Sequence, residues 1–111
     1  MGIFGPRPSR GDQQVLDQLR EVGSNLSLPH SIEHFLYFPE EAAAREVASA
    51  LAAEGYRAEA RPGADGKDWL VLASHTVVPS PRQVATNTLR MEKLAASFGG
   101  EYDGWGAGVV K

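Results

Sequence analysis

A tight turn near the middle of the chain does most to limit the folds that this sequence can adopt. Residues 62–66 read Pro-Gly-Ala-Asp-Gly, and these residue types favour a reversal of chain direction because glycine adopts positive φ and Asp bonds neighbouring backbone. Before the turn, residues 56–61 alternate uncharged with charged side chains, which is typical of a half-exposed strand. After it, residues 69–77 are rich in strand-favouring residues. The sequence therefore predicts an antiparallel hairpin.

One strand and one helix flank the hairpin on each side. Residues 31–38 form an apolar and aromatic strand that Pro39 closes, and an Ala-rich helix follows as far as Gly55. After the hairpin, Ser80 caps a second helix with Pro81 at its first position, and Gln83 can complete a capping box. Residues 101–110 form the last strand.

The resulting order, β-α-β-β-α-β, is that of ferredoxin-like sandwiches. We therefore expect an α+β fold, in which a four-stranded antiparallel sheet carries two helices on one face. The first and last strands are expected to be neighbours, which leaves the other face of the sheet free unless something else covers it.

An extra helix precedes this pattern. Residues 1–11 are predicted to be a flexible lead-in, and residues 12–111 a single domain. Asp12 is expected to cap the extra helix, which presents a stripe of aliphatic residues and ends at Gly23. We expect this helix to cover Phe35 and Tyr37 on the free face of the sheet.

Composition excludes several classes of function. The 111 residues contain no cysteine, which removes disulfides, thiolate metal sites and Cys nucleophiles. The net charge is −3, with basic residues scattered among acidic ones, which argues against direct nucleic-acid binding. No signal peptide or membrane-spanning run is recognisable, so the sequence predicts a cytoplasmic protein without a membrane partner.

The three histidines do not suggest a metal site. His30 and His34 are on one strand, where residues four apart are separated by roughly 13 Å, and His75 is on another strand. The adjacent pairs Glu33–His34 and Ser74–His75 point to opposite faces of their strands, so neither is an acid–base or nucleophile–base pair. We therefore predict no metal, no cofactor and no enzymatic activity.

Two alternatives remain from the residues alone. RNA-recognition domains share this strand order and stack bases on sheet aromatics, a role that Phe35 and Tyr37 could take. The third strand lacks the basic-Gly-aromatic signature of those domains. The other alternative is a homodimer that pairs its open sheet faces around a small ligand.

The run Glu101-Tyr102-Asp103-Gly104-Trp105-Gly106 admits two interpretations. In the favoured one it is structural: the glycines permit a bulge, Asp103 satisfies nearby backbone N–H groups, and Trp105 closes one end of the core. In the other it is a docking surface, because Trp and Tyr beside an acid are typical of interface anchors.

The same run, together with Phe98-Gly99-Gly100 before it, resembles the end of the regulator of ribonuclease E activity B (RraB) family. The stretch 31–35, Ser-Ile-Glu-His-Phe, and the loop 23–25 after the first helix resemble that family too. The resemblance implies a non-catalytic protein that binds ribonuclease E and inhibits it, thereby altering transcript turnover. The positions that match the family signature, taken as partner-binding, are Glu33, His34, Glu101, Tyr102, Asp103 and Trp105.

One departure bears on the partner. Inhibitory members of the family tend to be strongly acidic with an acidic C-terminal tail, whereas this chain is nearly balanced in charge. If inhibition depends on attraction to a basic region of the nuclease, this protein could keep the fold and use another partner.

Overall fold

The structure of the protein, a computed structural model, describes residues 8–111, so most of the predicted lead-in lies outside the described residues. Seven elements follow one another along the chain. They are α1 (Arg10–Glu21), β1 (His30–Phe38), α2 (Glu41–Ala53), β2 (Arg57–Pro62), β3 (Trp69–Val77), α3 (Pro81–Ser97) and β4 (Glu101–Ala107).

The four strands form one antiparallel sheet in the order β2-β3-β1-β4. The predicted α+β class, the hairpin and the pairing of the first strand with the last are confirmed. At the hairpin turn, Gly63 N–H donates to the Asp68 carbonyl at 2.7 Å, and the Asp65 carboxylate accepts from Lys67 N–H at 2.9 Å. The turn chemistry that the sequence predicted therefore forms.

Capping side chains define where α1 and α3 begin. The prediction that Asp12 caps α1 is wrong, since the N-cap is Ser9: its hydroxyl accepts from Asp12 N–H at 3.1 Å, and the Asp12 carboxylate accepts from Ser9 N–H at 3.2 Å. Ser80 caps α3 as expected. The Gln83 side chain bonds Asn87 instead of completing a capping box.

The main core lies between the sheet and helices α2 and α3. Alternate residues of β1 are buried beneath the helices, among them Leu36 and Phe38, and β3 contributes Val71 and Ala73. Burying each large apolar side chain contributes about 1.5–3 kcal/mol. The helix-facing side of the sheet therefore accounts for most of the hydrophobic stabilisation.

Helix α1 packs on this same side. Leu16 and Leu19 join Ile32, Val84 and Trp105 in a second buried cluster between α1, α3 and the sheet. The prediction that α1 covers Phe35 and Tyr37 is therefore wrong. These two residues alternate with the buried residues of β1, so they lie on the opposite face. The aliphatic stripe of α1 fits the gap beside α3, where Ile32 and Trp105 are available as partners.

Strand β4 ends at Ala107, three residues earlier than predicted. Beyond it, the backbone of Val110 bonds the loop after α1: its carbonyl accepts from Asn25 N–H at 2.6 Å, and its N–H donates to the Ser24 hydroxyl at 2.9 Å. The final residues therefore fasten this loop instead of extending the sheet. Among residues 8–111, none of the helices has the length and apolar character needed to cross a membrane.

Candidate functional site

The sheet face opposite the helices carries a continuous apolar strip. Phe35 lies beside Leu72, and Tyr37 lies beside Leu70, across the pairing of β1 with β3. All four side chains are partly exposed, and the three helices pack on the other side of the sheet. We call these four residues the apolar strip. A surface of this kind on the two central strands is a candidate contact area.

Acidic side chains border the apolar strip on its β1–β4 side. Glu101 pairs with Tyr37, and Glu33 with Gly106, so both carboxylates are on the open face. Asp103 is exposed next to them. None of the three makes a side-chain hydrogen bond or ion pair within the part of the chain that the structure describes. They are available to a partner.

Strand β2 borders the apolar strip on the other side. Its open-face residues are Arg57, Glu59 and Arg61, which pair with Ser74, Leu72 and Leu70. Arg61 and Glu59 bond each other at 2.7 Å. Arg57 has no ion pair among residues 8–111. The open face therefore runs from a mainly basic edge, across apolar residues, to an acidic edge.

A bulge in β4 shapes the acidic edge. Phe35 pairs with Gly104 whereas Leu36 pairs with Tyr102, so Asp103 is the extra residue. Gly104 has φ 116°, a conformation that favours glycine. The predicted bulge is confirmed. The expectation that Asp103 satisfies local backbone N–H groups is wrong, because its side chain accepts no bond from residues 8–111.

The bulge also turns both Tyr102 and Trp105 toward the helices. Trp105 is only 8% exposed, and its indole N–H donates to the Asp12 carboxylate at 3.1 Å. The hydroxyl of Thr88 donates to the same carboxylate at 2.8 Å. Asp12, itself 5% exposed, thus joins α1 to α3 and β4. The structural interpretation of Trp105 as the closure of one end of the core is confirmed.

Two histidines that the sequence placed on separate strands are in contact on the helix-facing side of the sheet. The Nε2 atoms of His34 and His75 lie 3.2 Å apart, and His34 Nδ1 lies 2.8 Å from the Tyr102 hydroxyl. Tyr56 lies against His75 with ring centroids 4.4 Å apart. The strand register brings the imidazoles together, since His34 pairs with Ala73, two residues before His75. Sequence alone does not reveal that register.

Burial keeps this cluster uncharged. Desolvation, followed by the proximity of His75, lowers the pKa of His34 from 6.5 to about 3, and desolvation lowers the pKa of His75 as well. Desolvation raises the pKa of Tyr102. With both imidazoles uncharged near neutral pH, one Nε2–H donates to the other Nε2, so the cluster is a hydrogen-bonded chain in which His34 is a weak base. No group of three metal-ligating side chains occurs within residues 8–111.

A serine–histidine contact that the sequence did not suggest also occurs, between the loop after α1 and the start of β1. The Ser24 hydroxyl lies 2.6 Å from His30 Nε2, and His30 Nδ1 lies 2.8 Å from the Leu28 carbonyl. Both side chains are buried. The same hydroxyl accepts from Val110 N–H. The pair therefore holds the C-terminal segment, and its oxygen is not presented to solvent as a nucleophile.

The predicted site residues divide between the two sides of the sheet. Glu33 and Glu101 are on the open face and Asp103 is exposed at the bulge, whereas His34, Tyr102 and Trp105 are behind the sheet. Sequence reasoning missed the apolar strip. The alternation of Leu70 and Leu72 with Val71 and Ala73 was a signal for it, because residues with this spacing point to opposite faces.

Comparison with protein families gives a match over most of the chain. The family model described as regulator of ribonuclease activity B matches residues 9–107, which is nearly the whole chain. A comparison with curated proteins finds no match.

Proposed function

Because the chain belongs to the RraB family, whose members regulate ribonuclease activity, we propose that it is a non-catalytic cytoplasmic protein that binds ribonuclease E and inhibits it. The strand order β2-β3-β1-β4, with helices on one side, supports assigning the domain to the ferredoxin-like sandwiches. The buried histidine cluster supports a role without chemistry, since desolvation holds the pKa of His34 at about 3, far below neutral pH.

The observation that carries the proposal is the open sheet face. The apolar strip supplies surface that becomes favourable once it is removed from water, and its four members come from the two central strands. Glu33, Glu101 and Asp103 supply unpaired negative charge beside it. Such a surface fits a protein segment that offers apolar side chains together with Lys or Arg.

We propose a structural role for the family-signature residues that lie on the helix-facing side of the sheet. Trp105 holds α1 against α3 through Asp12, and His34 bonds Tyr102 of the neighbouring strand. These contacts join β4 to β1 and to α1. We assign partner contact to Glu33, Glu101 and Asp103, and positioning of those residues to His34, Tyr102 and Trp105.

A titration against purified ribonuclease E tests the proposal, with binding followed by calorimetry and cleavage followed on a defined RNA. We expect saturable binding with loss of cleavage. Glu33→Lys and Glu101→Lys should each weaken binding about tenfold, because a like charge then faces the basic partner. Glu46→Lys is the matched control: Glu46 is exposed on α2, on the other side of the protein.

The outcomes are distinct. If no saturable binding occurs at micromolar concentration, the nuclease is not the partner of this chain. If binding occurs but Glu46→Lys weakens it as much as Glu33→Lys, the helical side is the contact surface.

One observation favours a second function, RNA binding on the same face. Phe35 and Tyr37 point outward from a central strand, where RNA-recognition domains stack bases. The adjacent Glu33 and Glu101 disfavour phosphate contact. Fluorescence anisotropy with a single-stranded RNA at low salt decides the matter: affinity that falls on Phe35→Ala and with added salt would support this function.

A further inference from the structure

The open face is self-complementary, and we propose that it pairs with the open face of a second copy of this chain to form a dissociable dimer. The starting point is the order of charges across the sheet. One outer strand, β2, presents Arg57 and Arg61 on either side of Glu59, which bonds Arg61, whereas β1 and the other outer strand, β4, present the unpaired Glu33 and Glu101. The apolar strip lies between them.

The two charged edges cannot neutralise each other within one molecule. Arg61 and Glu101 are at the two ends of one cross-strand row, joined through Leu70 and Tyr37. Because neighbouring strands are about 4.8 Å apart, these ends are separated by roughly 14 Å. Arg61 bonds Glu59 of its own strand, whereas Glu101 has no partner among residues 8–111 and can bond the Arg61 of another molecule.

A two-fold axis brings them together. If the axis lies between the two sheets, parallel to the strands and midway between β3 and β1, each β2 faces the β4 of the second copy and each β3 faces β1. Each row of four residues paired across β2, β3, β1 and β4 then faces the same row of the second copy, in reverse order. Arg61 faces Glu101, and Leu70 faces Tyr37. Isologous contacts of this kind satisfy each pairing twice.

The next two rows fit the same axis. Leu72 faces Phe35, so the apolar strip of one copy covers that of the other. Ser74 faces Glu33, and the unpaired Arg57, the outer member of this row, faces Gly106. Sheets packed face to face are about 10 Å apart and cross at about 30°, which leaves room for these side chains.

The expected affinity is modest. Four strands at about 4.8 Å spacing give a narrow face, smaller than the roughly 800 Å² per partner of a standard interface. We therefore expect a dimer that dissociates at micromolar concentration. One consequence rests on the proposed function: self-association would cover the surface offered to ribonuclease E, so only the monomer would inhibit.

The experiment is sedimentation of the chain alone over a range of concentrations, with charge reversals on the two edges. Arg61→Glu and Glu101→Arg should each weaken the dimer at least about tenfold, because each places like charges opposite one another twice. The double variant, Arg61→Glu with Glu101→Arg, should restore the dimer. Glu46→Arg on α2 is the matched control and should leave it unchanged.

Circular dichroism confirms that each variant is folded. A monomer at all concentrations up to about 1 mM, well above the micromolar range expected of so narrow a face, would overturn the proposal. A dimer that survives both single reversals would also overturn it, as would a double variant no better than the singles. The nuclease takes no part in these measurements, so their failure is separate from any failure of the proposed inhibition.

Discussion

Among the glycines that the structure describes, Gly100 has the least room for a side chain. A Cβ atom at this position would collide with the carbonyl oxygen of Tyr37 and with the ring of Phe38. Phe38 is fully buried, so neither neighbour can move without disturbing the core or the sheet. The glycine just before β4 therefore has a steric role, which is to let β4 approach β1.

We expect Gly100→Ala to lower the free energy of unfolding by about 1–3 kcal/mol, the usual cost of overpacking a core. Urea denaturation measures it. Gly108→Ala is the matched control, because a Cβ there meets nothing within 4 Å, and its effect should stay within about 0.5 kcal/mol. Equal effects at both positions would contradict the steric explanation.

At the scale of elements, α1 is attached to the rest of the fold by one buried carboxylate as much as by its apolar stripe. Asp12 accepts from the Trp105 indole and the Thr88 hydroxyl, which belong to β4 and α3. The sequence predicted α1 and its aliphatic stripe. It did not predict the side on which α1 packs, because the stripe alone does not specify which apolar surface it covers.

Trp105→Phe should destabilise the protein by about 1.5–3 kcal/mol, because a buried carboxylate oxygen then loses its donor. Hydrogen exchange should rise most in α1. Trp69→Phe is the control, since the Trp69 indole makes no hydrogen bond within residues 8–111 and its loss should cost less. Uniform exchange across all helices would show that the carboxylate does not anchor α1 in particular.

At the scale of the whole molecule, the helices and their buried polar groups are all on one side of the sheet. The histidine cluster of that side links global stability to pH. The folded pKa of His34 is about 3, below its ordinary value of 6.5. Between these values the unfolded chain binds a proton that the folded protein excludes, so stability is complete above pH 6.5 and declines as the pH falls toward 3.

The free energy of unfolding should therefore decrease by up to about 1.4 kcal/mol per pH unit below pH 6. His34→Gln should be less stable at pH 7, because it disturbs the bond to Tyr102, but its stability should change less between pH 6 and pH 4. Chemical denaturation at several pH values measures both. Parallel curves for the two proteins would show that His34 is not the group responsible.

Turns, caps and alternation depend on residues close together in the chain, and they were enough to predict the order of elements, the central hairpin and the bulge near Gly104. The signature residues were enough to indicate the RraB family. Three other features are visible only in the folded protein: the side on which α1 packs, the contact of His34 with His75, and the bonds from Trp105 and Thr88 to Asp12. Each depends on the register between distant segments. That register left Phe35 and Tyr37 on the open face.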